Sequence, residues 1–368
     1  KARFALALEV PDGWVAVANG RVIEETAMNV SRGTERGTTY RFAESETIPT
    51  YLFAFAVGDF QIAVAARAGR TLRMFHRETD AEKVARNREA IFDLHVVALE
   101  WLENYTQIAY PFGKFDFVLI PPFQYGGMEH PGSIFYRQSS LLLDASATQA
   151  QYLGRASLIA HETTHMWFGN LVTMRWWEDT WLNESFADYM GYRVAADGAG
   201  FGGTLVVHEA TRKPGAHVAD ERRSTHPVAP APEDVPDVDS AFTNFDSISY
   251  AKGNSCLRQL VTWLGDDDFL AGVNAHLTGH RFGNATLDDL VAALDAASPR
   301  DVRGWAEVWL RRTGFDTIAV RRGEDQVPVL VREGVRPHRF SVSALDADGA
   351  LVATRVVDLA DEGEVQRP

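Results

Sequence analysis

The chain has one cysteine, Cys256, among its 368 residues. An internal disulfide framework and an all-thiolate metal site are therefore excluded, and the usage fits a reducing compartment, so a cytoplasmic protein is expected. No apolar run reaches the length of a membrane span. Acidic residues are in excess, with a formal net charge of −14, yet they form no long block. That balance disfavours a polyanionic partner such as nucleic acid and is accounted for by acidic solubility. No initiating methionine is present. Lys1 opens directly on a strand-like run, as an internal fragment would, and any signal peptide would be out of view. Apolar and aromatic side chains are plentiful, 46% and 11%, enough for a large core over two or three domains.

Periodicity divides the chain. From Phe4 to Val64 apolar and polar residues alternate between turn signals such as "PDGW" and "ANGR", which predicts strands. Between Asp80 and Tyr105 the apolar positions Val84, Ile91, Leu94, Val97, Ala98 and Leu102 recur at threes and fours, predicting a helix. "FDFVLIPPF" returns to a strand. Helical stretches follow around 148 to 170 and 180 to 196, then a Pro- and Asp-rich loop near 226 to 240, then helices from Ser249 to about 312. Strand alternation resumes from Phe315. The expected architecture is a multidomain α+β protein with boundaries at 1–65, 66–314 and 315–368. "GAGFGG", residues 198 to 203, matches a dinucleotide-binding spacing, but it ends a helix instead of following a strand, so it reads as a loop. His208, His217, His226, His276 and His280 lack partners at ligand spacing and read as surface or core residues.

One stretch carries chemistry: "AHETTHMWFGNLVTMRWWEDTWLNESFADYM", residues 160 to 190. Four residues of helix advance about 6 Å and turn about 400°, so His161 and His165 stand one above the other on one face as a metal clamp. Glu162 falls on the neighbouring face, close enough to reach a metal-held water without being a ligand. Ser157 to Phe168 suits a helix, with Gly169-Asn170 as its stop signal. Glu184 lies nineteen residues beyond His165. A continuous helix would carry it roughly 28 Å away, so the chain must turn back, with Asp179 or Thr180 capping a second helix. Two imidazoles and a carboxylate leave the fourth tetrahedral position open, the arrangement of a catalytic zinc site. Upstream, another carboxylate, Glu129, sits on a glycine-flanked stretch, "YGGMEHPG".

These residues resemble the gluzincin aminopeptidases, the family of aminopeptidase N and leukotriene hydrolase. The zinc signature H-E-x-x-H, eighteen residues and N-E is reproduced; "GGMEH" is similar to the glycine-x-methionine-glutamate-asparagine exopeptidase motif; "STHPV" and "FDSISYAKG" are similar to the segments that end in a tyrosine, here Tyr250. The resemblance implies a remnant of an N-terminal β domain over 1–65, a thermolysin-like α/β catalytic domain over 66–314, and an incomplete β-sandwich-like segment over 315–368. It implies one Zn²⁺ per chain held by His161, His165 and Glu184, and a zinc-activated water with Glu162 as general base. It further implies Tyr250 as a donor to the oxyanion, a peptide lined by the backbone of Gly126, Gly127 and Met128, and Glu129 as the amine anchor. The implied activity is removal of N-terminal residues from peptides with a free N-terminus by a monomeric enzyme. An epoxide hydrolase of the leukotriene hydrolase type and an inactive scaffold homologue are the alternatives. His130 replaces the family's asparagine, and a protonated imidazole there is expected to compete for Glu129 at acidic pH.

Overall fold

The N-terminal alternation does fold as strands. The computed structural model describes residues 1–29, 36–322, 327–359 and 365–366. Two units emerge: Lys1–Thr173 with Met190–Val206 and His280–Asn284, and Met174–Tyr189 with Val207–Gly279 and Ala285–Pro368.

The first unit begins with β1 (Ala7–Pro11), β2 (Val15–Ala18), β3 (Val22–Asn29), β4 (Arg36–Phe42) and β5 (Phe55–Gly58). Strands β1, β4 and β3 form an antiparallel sheet in that order, and β2 pairs with β5. Val10, Ala16, Ala18, Tyr40 and Phe42 fill the core between them. A five-stranded sheet follows, from β6 (Gln61–Arg67), β7 (Arg70–His76), β8 (Phe115–Ile120), β9 (Gly127–Met128) and β10 (Ser133–Arg137), in the order β6-β7-β8-β10-β9. β8 runs parallel to both of its neighbours. Its first five residues are buried, which is why, apart from the ion-paired Asp116, it reads as an apolar run and not as an alternation.

Parallel strands need a crossover, and α1 (Ala81–Thr106) connects β7 to β8. The Asp80 carboxylate accepts from the Lys83 N–H at 3.0 Å to start the helix, and Gln107 ends it in the left-handed region at φ 56°. After the short α2 (Gln138–Leu141) comes α3 (Gln149–Thr164), opened by a capping box between Thr148 and Gln151. Helix α3 stops earlier than its pattern suggests. Met166 and Trp167 donate to carbonyls three residues back, Thr163 and Thr164, which tightens the last turn well before Gly169.

The remaining helices are α4 (Trp181–Asp197), α5 (Thr204–Val207), α6 (Lys213–Asp220), α7 (Val238–Thr243), α8 (Gly253–Leu264), α9 (Asp266–Gly279), α10 (Leu287–Ala297) and α11 (Val302–Trp309). "GAGFGG" is the loop after α4. Of the two expected caps of α4, Thr180 directly precedes the helix and its carbonyl accepts the first intrahelical bond, from the Glu184 N–H at 3.0 Å, while its hydroxyl donates to the Trp177 carbonyl at 2.6 Å; the Asp179 carboxylate accepts from the Leu287 N–H at 2.9 Å instead. A 3-10 turn at Trp177–Asp179 leads into α4. In the second unit Phe269, Leu277, Leu290 and Leu294 are buried between α9 and α10, and Cys256 is a buried free thiol. Strands Thr317–Arg322, Pro328–Glu333 and Val365–Gln366 form one sheet, and His338–Leu345 pairs with Leu351–Leu359. The buried Asp316 carboxylate takes donors from the Arg336 guanidinium at 2.8 Å and the Arg336 N–H at 2.7 Å. Among the described residues no helix is long and apolar enough to cross a membrane.

His95 of α1 is buried and stacks on Phe117 with ring centroids 4.1 Å apart. Its Nδ1 lies 2.8 Å from the Ile91 carbonyl, which can only accept, so Nδ1 carries the proton and Nε2 accepts from the Tyr136 hydroxyl at 3.1 Å. Burial pushes the imidazole from 6.5 down to about 3, against the opposing pull of the Ile91 carbonyl. The unfolded chain therefore binds this proton more readily, so the neutral residue's stabilisation is complete above 6.5 and is lost as pH falls toward 3. This one group should remove about 1.4 kcal/mol of stability per pH unit across that window. Urea unfolding of wild type and His95→Gln between pH 7.5 and 4 tests it: the variant should be less stable at neutral pH and lose less on acidification, whereas parallel pH slopes would contradict the assignment.

Candidate metal centre

Helix α3 ends in the feature that its sequence spacing promised. His161 occupies its last turn and His165 caps it, and their Nε2 atoms approach to 3.2 Å with the rings nearly perpendicular, at 84°. The His165 Nδ1 lies 3.0 Å from the Phe168 carbonyl. Because the carbonyl accepts, Nδ1 holds the proton and the Nε2 lone pair is directed at the partner imidazole. Two zinc–nitrogen bonds of about 2.0–2.1 Å at a tetrahedral angle span about 3.3 Å, so the observed separation fits the bite of that ion. The hydroxyls of Thr163 and Thr164 donate to the carbonyls of Ile159 and Ala160 at 2.7 and 2.8 Å, leaving no buried threonine hydroxyl to compete for the imidazoles.

Two carboxylates stand beside this pair. Glu162 is buried, and its side chain lies across Gly127 of β9, where a Cβ would collide with the carboxylate. The bare backbone at Gly127 is thus what lets Glu162 lie over the strand. Glu129 follows directly after β9 and is only 5% exposed. Glu129, Glu162 and His165 each offer a ligand-type atom, all within 4.8 Å of one another. Gly126 and Gly127 are fixed by β10: the Gly126 carbonyl accepts from the Arg137 N–H at 2.8 Å, and Gly127 and Met128 pair with Tyr136 and Phe135.

Two residues hold Glu129, and a third holds one of them. The Tyr51 hydroxyl donates to its Oε1 at 3.2 Å, and the Asn170 side-chain amide donates to its carbonyl at 2.7 Å. Lys1 in turn donates from Nζ to the Asn170 carbonyl at 3.0 Å. Asn170 had a sequence signal only as a helix stop; Tyr51 had none.

His130 does not behave as the sequence suggested. It is buried with its ring edge-on to Phe135, 4.6 Å between centroids, and burial lowers it to about 4. Its Nδ1 has no hydrogen-bond partner among the described residues. The imidazole is therefore neutral through mildly acidic pH and brings no charge to compete for Glu129.

Glu184 and Tyr250 belong to the second unit. Glu184 lies in the first turn of α4, with its N–H on the Thr180 carbonyl at 3.0 Å. Tyr250 lies in a π-helical turn, Ile248–Lys252, just before α8. The neighbour of each joins them: the buried Ser185 hydroxyl donates to the Ser249 carbonyl at 2.6 Å. The two family-like segments around Tyr250 also meet, since His226 Nε2 and Asp246 Oδ1 are 3.3 Å apart.

The Peptidase family M1 domain matches residues 91–309. Aminopeptidase N of Streptomyces lividans is 33% identical over 99% of this chain and 44% of its own length. Puromycin-sensitive aminopeptidase of Caenorhabditis elegans is 34% identical over 88% of this chain and 33% of its length. Leucyl aminopeptidase of Saccharolobus solfataricus is 31% identical over 87% of this chain and 39% of its length. The chain thus spans less than half the length of these relatives. With more than half of its residues matched and the motif histidines drawn together at the end of α3, the chain belongs to peptidase family M1.

Proposed function

We propose that the chain is the catalytic portion of a zinc-dependent aminopeptidase that hydrolyses the N-terminal peptide bond of peptides. The observation that carries this reading is the 3.2 Å approach of the two Nε2 atoms beside the buried carboxylates of Glu162 and Glu129. The relatives named above, each called an aminopeptidase, support it. In this reading the fold around α3 is thermolysin-like, and His161, His165 and Glu184 hold one zinc ion. The third ligand rests on the nineteen-residue spacing and on the family resemblance. Zinc held there supplies a Lewis acid that lowers the pKa of a coordinated water and polarises a carbonyl.

The chain's own residues divide the remaining work. Glu162 takes a proton from the attacking water and delivers it to the departing amine. Tyr250 donates a hydrogen bond to the carbonyl oxygen as negative charge grows on it. Glu129 pairs with the free α-ammonium, and the backbone of Gly126, Gly127 and Met128 lines the peptide, so that only the first peptide bond reaches the reacting groups.

Replacing a ligand and replacing the base should have different signatures in the intact protein. His161→Ala or Glu184→Ala should lower zinc content measured by atomic absorption, and full occupancy in both would remove the ligand assignment. Glu162→Gln should keep the metal while turnover falls about 10²- to 10⁴-fold, the range for losing a positioned base. For Tyr250→Phe, turnover should drop roughly 10²- to 10³-fold with little change in KM; an effect confined to KM would mean that the phenol binds the substrate in its ground state. Glu129→Ala should cost about 2–5 kcal/mol in kcat/KM for a peptide with a free amine, as for one half of a desolvated charge pair. Its N-acetylated twin should be a poor substrate for wild type. Equal cleavage of the two peptides by wild type would favour an internal-bond protease instead.

A further inference from the structure

Tyr51 stands outside every motif, yet its hydroxyl reaches the residue that sets exopeptidase character. It lies on a 3-10 turn, Thr50–Leu52, between β4 and β5, and donates to Glu129 Oε1 at 3.2 Å. That turn is locked to the Glu129 loop by one buried side chain. Asn19 Nδ2 donates to the Leu52 carbonyl and to the Pro131 carbonyl, each at 3.0 Å, while its Oδ1 accepts from the Ala54 N–H at 2.9 Å. The Glu129 backbone is separately held by Asn170 at 2.7 Å. Main chain and one carboxylate oxygen are therefore both fixed, and Oε2 is left to accept from a ligand.

The chemistry of the donor matters. Glu129 and Glu162 are buried carboxylates with oxygens within 4.8 Å of each other, so the flexible Glu129 side chain is repelled by its neighbour and needs a restraint. A lysine or arginine would supply one, but it would also cancel the negative charge that attracts an ammonium. A phenol donates one hydrogen bond and carries no charge, so it aims the carboxylate without neutralising it. We propose that Tyr51 is a positioning residue for recognition of the substrate's free N-terminus, holding Glu129 Oε1 so that Oε2 faces the α-ammonium; this rests on the reading of Glu129 as the amine anchor.

The test is a double-mutant cycle of Tyr51→Phe and Glu129→Ala in the intact protein, with kcat and KM for a peptide bearing a free amine and for its acetylated twin. Binding of dialanine amide and of its N-acetyl form to chelator-treated protein, measured by calorimetry, gives a readout independent of turnover. Tyr51→Phe keeps the ring and should raise KM for the free-amine peptide roughly 3- to 10-fold, the range of one ordinary hydrogen bond, because the lost bond acts on the substrate only through Glu129, with kcat and zinc content nearly unchanged. Affinity for dialanine amide should fall by a similar factor, and that for the acetyl form should not change. In the Glu129→Ala background the second substitution should add nothing, because the group it positions is gone. A Tyr51→Phe effect that persists in full in that background would mean a purely structural role and would overturn the proposal. So would unchanged KM and affinity in Tyr51→Phe while Glu129→Ala still erases the preference for free amines, an outcome that leaves the anchor standing. If Glu129→Ala leaves that preference intact, the anchor reading and the role of Tyr51 fall together.

Discussion

Two imidazole nitrogens 3.2 Å apart at the end of α3 set the terms for the surrounding structure. The spacing is a property of the helix: residues four apart share a face, and nothing else in the fold is required to bring His161 beside His165. Holding both lone pairs on one point takes more. The Phe168 carbonyl fixes the tautomer of His165, and Thr163 and Thr164 turn their hydroxyls back to the helix. Ending α3 at Thr164 is part of the same device, because the tightened turn that follows is what carries the Phe168 carbonyl back to the ring. In the proposed function a shared divalent cation would satisfy both nitrogens at once.

Beside that pair, the protein accepts an electrostatic penalty. Glu129 and Glu162 are buried within 4.8 Å of each other, an arrangement that costs stability unless donors or a cation offset it. The donors come from far along the chain: Tyr51 to the Glu129 side chain and Asn170 to its backbone. Neither of these two donors carries a full charge.

Packing supplies the rigidity. β8 is buried over its first five residues between parallel neighbours, α1 packs on the sheet through Phe92 and His95 against Phe117, and α1 also packs against α3. Burial of His95 and His130 makes both neutral residues in practice, so two histidines close to the site in sequence or space take no part in its charge. The neutrality of His130 could not be read from "GGMEH", where a surface loop and a buried one have the same text.

What could be read was local. Helical periodicity gave α1, strand alternation gave the N-terminal sheets and the C-terminal strands, and four-residue spacing gave the imidazole pair, because each depends on neighbours within a turn or a pleat. The motif around Glu129 was legible as a glycine-flanked carboxylate. The sequence could not show that Asp179 serves Leu287, that α3 ends at Thr164, or that Tyr51 and Asn170 converge on Glu129 with Lys1 on the Asn170 carbonyl. Those outcomes depend on which donors and acceptors lie nearby once segments as much as 169 residues apart are packed together. A buried polar group takes whatever partner the fold brings within about 3 Å, and no local pattern encodes that choice.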